Sequence, residues 1–86
     1  MQFKVFQLDT WIEPDGTWRV NDSMEICKLS VNGDPTVRKI LSAMYEKNLL
    51  LERRKFTVDD YFSYDGMWCI VQRSNLKPVF DLMEIE

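Results

Sequence analysis

Val31-Asn32-Gly33-Asp34-Pro35-Thr36-Val37-Arg38-Lys39-Ile40-Leu41-Ser42-Ala43-Met44-Tyr45-Glu46-Lys47-Asn48 reads as a strand exit, a turn and one amphipathic helix. Asn32-Gly33 supplies the turn. Asp34 is a good N-cap, and Pro35 suits the first helical position, where no N–H is needed. Val37, Ile40, Leu41, Met44 and Tyr45 follow at i, i+3, i+4, i+7 and i+8, one stripe of an α-helix. Arg38, Lys39, Ser42, Glu46 and Lys47 take the opposite face. Asn48 can adopt the left-handed conformation that ends a helix. The spacing predicts a helix from Pro35 to Asn48.

The segments on either side alternate as strands do. Phe3 to Ile12 is apolar on both faces: Phe3, Val5 and Trp11 on one, Phe6, Leu8 and Ile12 on the other. That two-sidedness suits a central strand, or one with a helix on one face and partial cover on the other. Pro14-Asp15-Gly16 turns the chain, since Gly accepts the positive φ of a tight turn. Thr17 to Asn21 returns antiparallel with Trp18 and Val20 on one face. Asn21-Asp22-Ser23 breaks the alternation, because short polar side chains bond back to their own main chain. Met24 to Val31 then resumes, with Cys27, Leu29 and Val31 on a shared face. After the helix, Leu49-Leu50-Leu51 is placed beneath it, and Lys55 to Asp59 is a short strand. Tyr61 to Tyr64, Asp65-Gly66 and Met67 to Arg73 form a hairpin, and Val79 to Ile85 closes the chain.

One helical stripe covers only about 100° and cannot bury two sheet faces. The expected fold is therefore α+β: a single amphipathic helix on a curved antiparallel sheet, in the order β-β-β-α-β-β-β, with neighbouring strands able to merge. Val79 to Ile85 is expected to leave an open edge that favours a homodimer as a secondary arrangement. Eighty-six residues make one compact domain, 1–86.

Composition narrows the function. Charged residues are 29% and hydrophobic residues 45% of the chain, as in a soluble globular protein rather than a disordered one. No apolar run approaches the roughly 20 residues of a bilayer span, and the start lacks the pattern of a secretory signal. A cytoplasmic protein with no membrane partner is expected. Cys27 and Cys69 are read as buried thiols in preference to a disulfide. There is no histidine, which removes the commonest general base and a common metal ligand. No Gly-rich phosphate loop or nucleophile elbow occurs. Asp59-Asp60 with Asp65 could pair for a cation or for acid–base work, but serve equally as strand-end and turn residues. No enzyme activity, cofactor or metal is expected.

Charge is segregated. Arg38 to Lys55 holds six basic and two acidic residues, and the rest of the chain five basic and twelve acidic ones. Arg53-Arg54-Lys55, with Arg38, Lys39 and Lys47 on the helix, could bind nucleic acid, helped by stacking on Tyr45, Tyr61 and Phe62. The net charge of −3 and pI near 4.9 oppose binding to a polyanion. A protein–protein module is the preferred class. Trp11, Trp18 and Trp68, with five Phe and three Tyr, are more aromatic surface than a thin two-layer domain hides, and Trp and Arg concentrate at binding hot spots. The candidate partner-binding residues are Trp11, Trp18, Asp59, Asp60, Arg53 and Arg54. Nucleic-acid binding through the basic run at the helix exit is the alternative.

Asp15-Gly16-Thr17-Trp18-Arg19-Val20-Asn21-Asp22, Ile40-Leu41-x-Ala43 and Lys77-Pro78-Val79-Phe80-Asp81-Leu82 together resemble a group of small uncharacterised proteins from phages and mobile elements of gut-type bacteria. The chain departs from that group at Ser23-Met24 and in carrying cysteines. The resemblance implies an accessory protein that binds or inhibits a host or defence protein, CRISPR nucleases among them, with an acidic face able to imitate DNA. None of the matching positions is a catalytic motif.

Overall fold

The computed structural model describes residues 1–59 and 67–85. Five strands and one helix follow in the order β1 (Gln2–Ile12), β2 (Trp18–Ser30), α1 (Val37–Glu46), β3 (Phe56–Asp59), β4 (Met67–Gln72) and β5 (Pro78–Ile85), with a 3-10 turn at Arg53–Lys55. The strands form one antiparallel sheet in the order β2-β1-β5-β4-β3. Because β2 and β3 are the two edges, the connection that carries α1 crosses the sheet from one edge to the other. The protein is a small α+β fold with a single helix among the described residues.

The helix is bounded by its own caps. Its N-cap is Thr36, whose hydroxyl accepts from Lys39 N–H at 3.2 Å, not Asp34, so the helix begins at Val37 rather than Pro35. Both residues offer an oxygen, and Thr36 is the one whose extended backbone leads directly into the Val37–Ile40–Leu41 stripe. At the other end Asn48 takes φ +60°. Asn48 N–H donates to Tyr45 C=O and Leu49 N–H to Met44 C=O, both at 3.0 Å, the paired bonds of a Schellman motif. A ten-residue helix is marginal by itself; packing of Ile40, Leu41 and Met44 into the core supplies the rest.

That core lies between α1 and one sheet face. Phe3 and Val5 of β1, Leu29 of β2, Val58 of β3, Ile70 of β4 and Phe80 and Leu82 of β5 meet the helix, and Leu50 closes one side. The register accounts for this set: Phe3 pairs with Leu29, Val5 with Leu82, Ile70 with Phe80 and Val58 with Ile70, and paired residues share a face. Leu51 does not join Leu49 and Leu50 beneath the helix; it is 98% exposed.

Two expectations about the sheet change. Asn21-Asp22-Ser23 does not end a strand. Asp9 pairs with Asp22 and Thr10 with Val20, so Asn21 is the extra residue of a bulge, and the ladder to β1 carries β2 through the polar run. The alternation does stop there, but as a bulge within one strand, which leaves two strands before the helix and not three. Val79 to Ile85 is not an open edge: β5 sits between β1 and β4, the place that its apolar residues on both faces suit. Trp11 lies on the face of Phe3 and Val5 but beyond the core. The expected strand Tyr61–Tyr64 and its Asp65-Gly66 turn lie outside the described residues.

Candidate functional site

Two surfaces stand out, and the sheet register builds both. The first is an arm. β1 pairs with β5 only from Gln2 to Gln7, whereas its pairing with β2 runs on to Ile12 and Trp18. Beyond Gln7, therefore, the hairpin continues as a two-stranded ribbon. Its tip is a short loop in which Gly16 N–H donates to Glu13 C=O at 2.9 Å and Glu13 N–H to Thr17 C=O at 2.8 Å, with Gly16 at φ +89°. A bare two-stranded ribbon is marginal in water. This one is braced: the Trp18 indole Nε1–H donates to Asn75 C=O at 2.9 Å, Lys77 Nζ lies 5.7 Å from the Trp18 ring centroid, and Arg19 pairs with Glu13 at 2.8 Å. Asn21 Nδ2 donates to Asp9 across the bulge at 3.3 Å.

The arm displays apolar side chains. Trp11 is 54% exposed, Ile12 56%, Val20 47% and Met24 63%. By register, Trp11 and Met24 share the helix-side face, and Ile12, Trp18 and Val20 share the other. The two candidate tryptophans thus separate. Trp18 is half-buried and spent on holding the arm against the β4–β5 turn, while Trp11 is open.

The second surface is basic. A cleft of about 410 Å³ between the helix and the 3-10 turn is lined by Arg38, Arg53, Arg54 and Arg73, with Val37, Leu41 and Ser42. Among the described residues no carboxylate lines it. Over Arg54 and Arg73 it adjoins a wider hollow of about 740 Å³ that Leu51, Lys55 and Phe56 also line. Among the described residues Glu52 is the one acidic residue there, 3.5 Å from Lys55. Arg53 is held by donating to Ser42 Oγ at 2.9 Å and by lying over the Tyr45 ring, 5.4 Å from its centroid. Arg73 Nε donates to Phe56 C=O at 3.1 Å. Arg73 belongs to this cluster although it lies far from the basic run in sequence. Its signal was the β3–β4 pairing: Phe56 opposite Gln72 sets Arg73 beside Lys55, whose C=O accepts Arg73 N–H at 2.8 Å.

The acidic candidates lie elsewhere. Asp59 ends β3, and Asp60 lies outside the described residues. Asp59 pairs with Cys69, and Cys69 with Asp81, a row across the sheet face away from the helix. Burial, then the charge of Asp81 and the hydrogen bond to it, and then the charge of Asp59 push the Cys69 thiol up to about 12. Burial also raises the Asp81 carboxyl above its ordinary range, against the opposing pull of the bond from Cys69. A thiol held protonated is a poor nucleophile. Cys27 and Cys69 are both free, Cys69 buried and Cys27 half-buried. Among the described residues no cluster of acidic and cysteine side chains could hold a metal, and no helix is long and apolar enough to cross a membrane.

No protein-family model matches the chain, and comparison with curated proteins and with solved structures returns no match.

Proposed function

We propose that the protein is a non-enzymatic binding module that engages another protein through its hairpin arm. The observation that carries this reading is the exposure of Trp11, Ile12 and Val20 on a ribbon that has left the sheet, with Met24 exposed at its base opposite Gln7. Exposed apolar side chains gathered on one protruding element mark an interaction surface, and tryptophan is enriched at the centre of such surfaces. The arm's bracing by Trp18 also holds those residues in place before binding, which lowers the ordering cost. In the light of the resemblance to phage and mobile-element proteins, the partner is a host or defence protein, and the module acts as an accessory factor or inhibitor. Compartment follows the partner: the cytoplasm of the host cell.

The test compares variants in one capture experiment. Tagged protein is incubated with lysate of the source cells at low and moderate salt, with and without nuclease. The reading expects a protein retained by wild type at moderate salt, indifferent to nuclease, and lost on Trp11→Ala and on Met24→Ser. Retention by both variants, or recovery of nucleic acid alone, overturns it. Should the chain pair with itself, the available long edge is β2 and not β5, and sedimentation of Val20→Pro against wild type reads that out.

A further inference from the structure

We infer that the arginine-lined cleft between α1 and the 3-10 turn is a second binding site, independent of the arm, which takes a short acidic peptide segment carrying an apolar side chain. Four arginines, Arg38, Arg53, Arg54 and Arg73, line a space of about 410 Å³ that no carboxylate of the described residues lines. Like charges gathered in this way repel, and an anion placed among them relieves that repulsion. Among the described residues the adjoining hollow holds one carboxylate, Glu52, beside Lys55. Among the described residues neither Arg38 nor Arg54 makes an ion pair or a hydrogen bond through its side chain.

The cleft is also prepared. Ser42 and the Tyr45 ring fix the Arg53 guanidinium, and Phe56 C=O fixes that of Arg73. A guanidinium held in one orientation offers its planar fork to a carboxylate with little further ordering. This pre-ordering separates the cluster from an ordinary solvated basic face, where long side chains sample many positions. Apolar groups complete the site: Val37 and Leu41 line the cleft, and Leu51, 98% exposed, with the half-buried Phe56 lines its continuation.

Size and field decide between ligands. The basic residues form one compact group rather than a track, whereas the chain outside Arg38 to Lys55 holds twelve acidic residues. A nucleic acid running past the cleft would meet that negative field with every further phosphate. A segment with two or three carboxylates ends before it does. The apolar lining gives such a segment a second contact that phosphate and ribose cannot use.

The experiment measures anisotropy of a fluorescein-labelled peptide alternating glutamate with leucine, titrated with the full chain. Saturable binding is expected, weakened on the order of tenfold by Arg54→Gln and by Arg38→Gln, since each removes a charge-assisted contact. Lys28→Gln, on the opposite sheet face, should leave it unchanged. A peptide with serine in place of leucine should bind several-fold more weakly. Unlabelled oligothymidylate and inorganic phosphate serve as competitors and should displace the peptide only at large excess. Circular dichroism of each variant confirms that these exposed substitutions leave the fold intact. The inference falls if binding is not saturable, if the arginine variants bind as wild type does, if leucine makes no difference, or if oligothymidylate competes better than unlabelled peptide. Trp11→Ala should bind the peptide normally, so failure here is distinct from failure of the arm.

Discussion

Ile40 gives the sharpest test of the packing. Its side chain is fully buried between α1 and the sheet, at 0% exposure. Ile40→Ala removes three carbon atoms, which at about 0.8 kcal/mol per buried methylene is about 2.4 kcal/mol of transfer free energy. The sheet face beneath Ile40 includes Phe3, Val5 and Leu82, all at 0% exposure, and residues held that tightly collapse poorly into a cavity. The cavity term therefore adds to the transfer term, for a total in the range of about 2–5 kcal/mol. Domains of this size have about 4–13 kcal/mol of stability, so the variant should show a large fall in its denaturation midpoint, and at the low end of that range it unfolds. Urea denaturation followed by far-UV circular dichroism reads the change, with Leu51→Ala as the control. Leu51 is almost wholly exposed, and its substitution should stay within about 0.5 kcal/mol. A loss under about 1 kcal/mol at Ile40, or equal losses at the two positions, would refute the assignment of the helix face.

Three further outcomes follow. Thr36→Ala should cost about 1 kcal/mol by removing the cap from Lys39 N–H, while Asp34→Ala should change stability far less; the reverse order in thermal denaturation would restore Asp34 as the cap. A thiol-specific alkylating agent at mildly alkaline pH should modify Cys27 and spare Cys69 until the chain is unfolded, because the Cys69 thiol is raised to about 12; equal labelling of the native protein in mass spectra would contradict its burial. Asp81, with its folded-state pKa raised above the unfolded value, adds stability at low pH that is lost as pH rises through the folded pKa. Asp81→Asn should therefore remove part of the decline in stability above the ordinary carboxylate range, and an unchanged pH profile from denaturation midpoints would refute the shift.

Local signals carried much of the fold. The periodic Ile40, Leu41 and Met44, the left-handed Asn48 and the Asp15-Gly16 turn all act over a few residues, and each stands where its chemistry puts it. Asn21-Asp22-Ser23 misled because its side chains favour a break locally, whereas the β1 ladder, which is not local, carries the strand past it with a bulge. Asp34 and Thr36 are both competent caps, so only the packing of Val37 onward selects between them. Strand order depends on pairings far apart in sequence, Gln2 with Ile85 among them. Val79 to Ile85 is expected at an open edge, and only its pairing with β1 on one side and β4 on the other gives it a central place. At the candidate sites the basic run was visible, but Arg73 reached it only through the β3–β4 register. The distinction between Trp11 and Trp18 rests on a contact with the β4–β5 turn, 57 residues away, which no local pattern encodes.

Site-directed photo-crosslinking bears most directly on the claim that the arm holds a protein partner. Trp11→p-benzoylphenylalanine places the probe on the open face of the arm, and Glu46→p-benzoylphenylalanine places it on the exposed end of the helix as a reference. Both proteins are irradiated in lysate of the source cells and the adducts resolved by mass and identified by mass spectrometry. The account predicts a discrete protein adduct from position 11, unaffected by nuclease and absent or much weaker from position 46. Equal adducts from both positions, or an adduct at position 11 that nuclease abolishes, would contradict it.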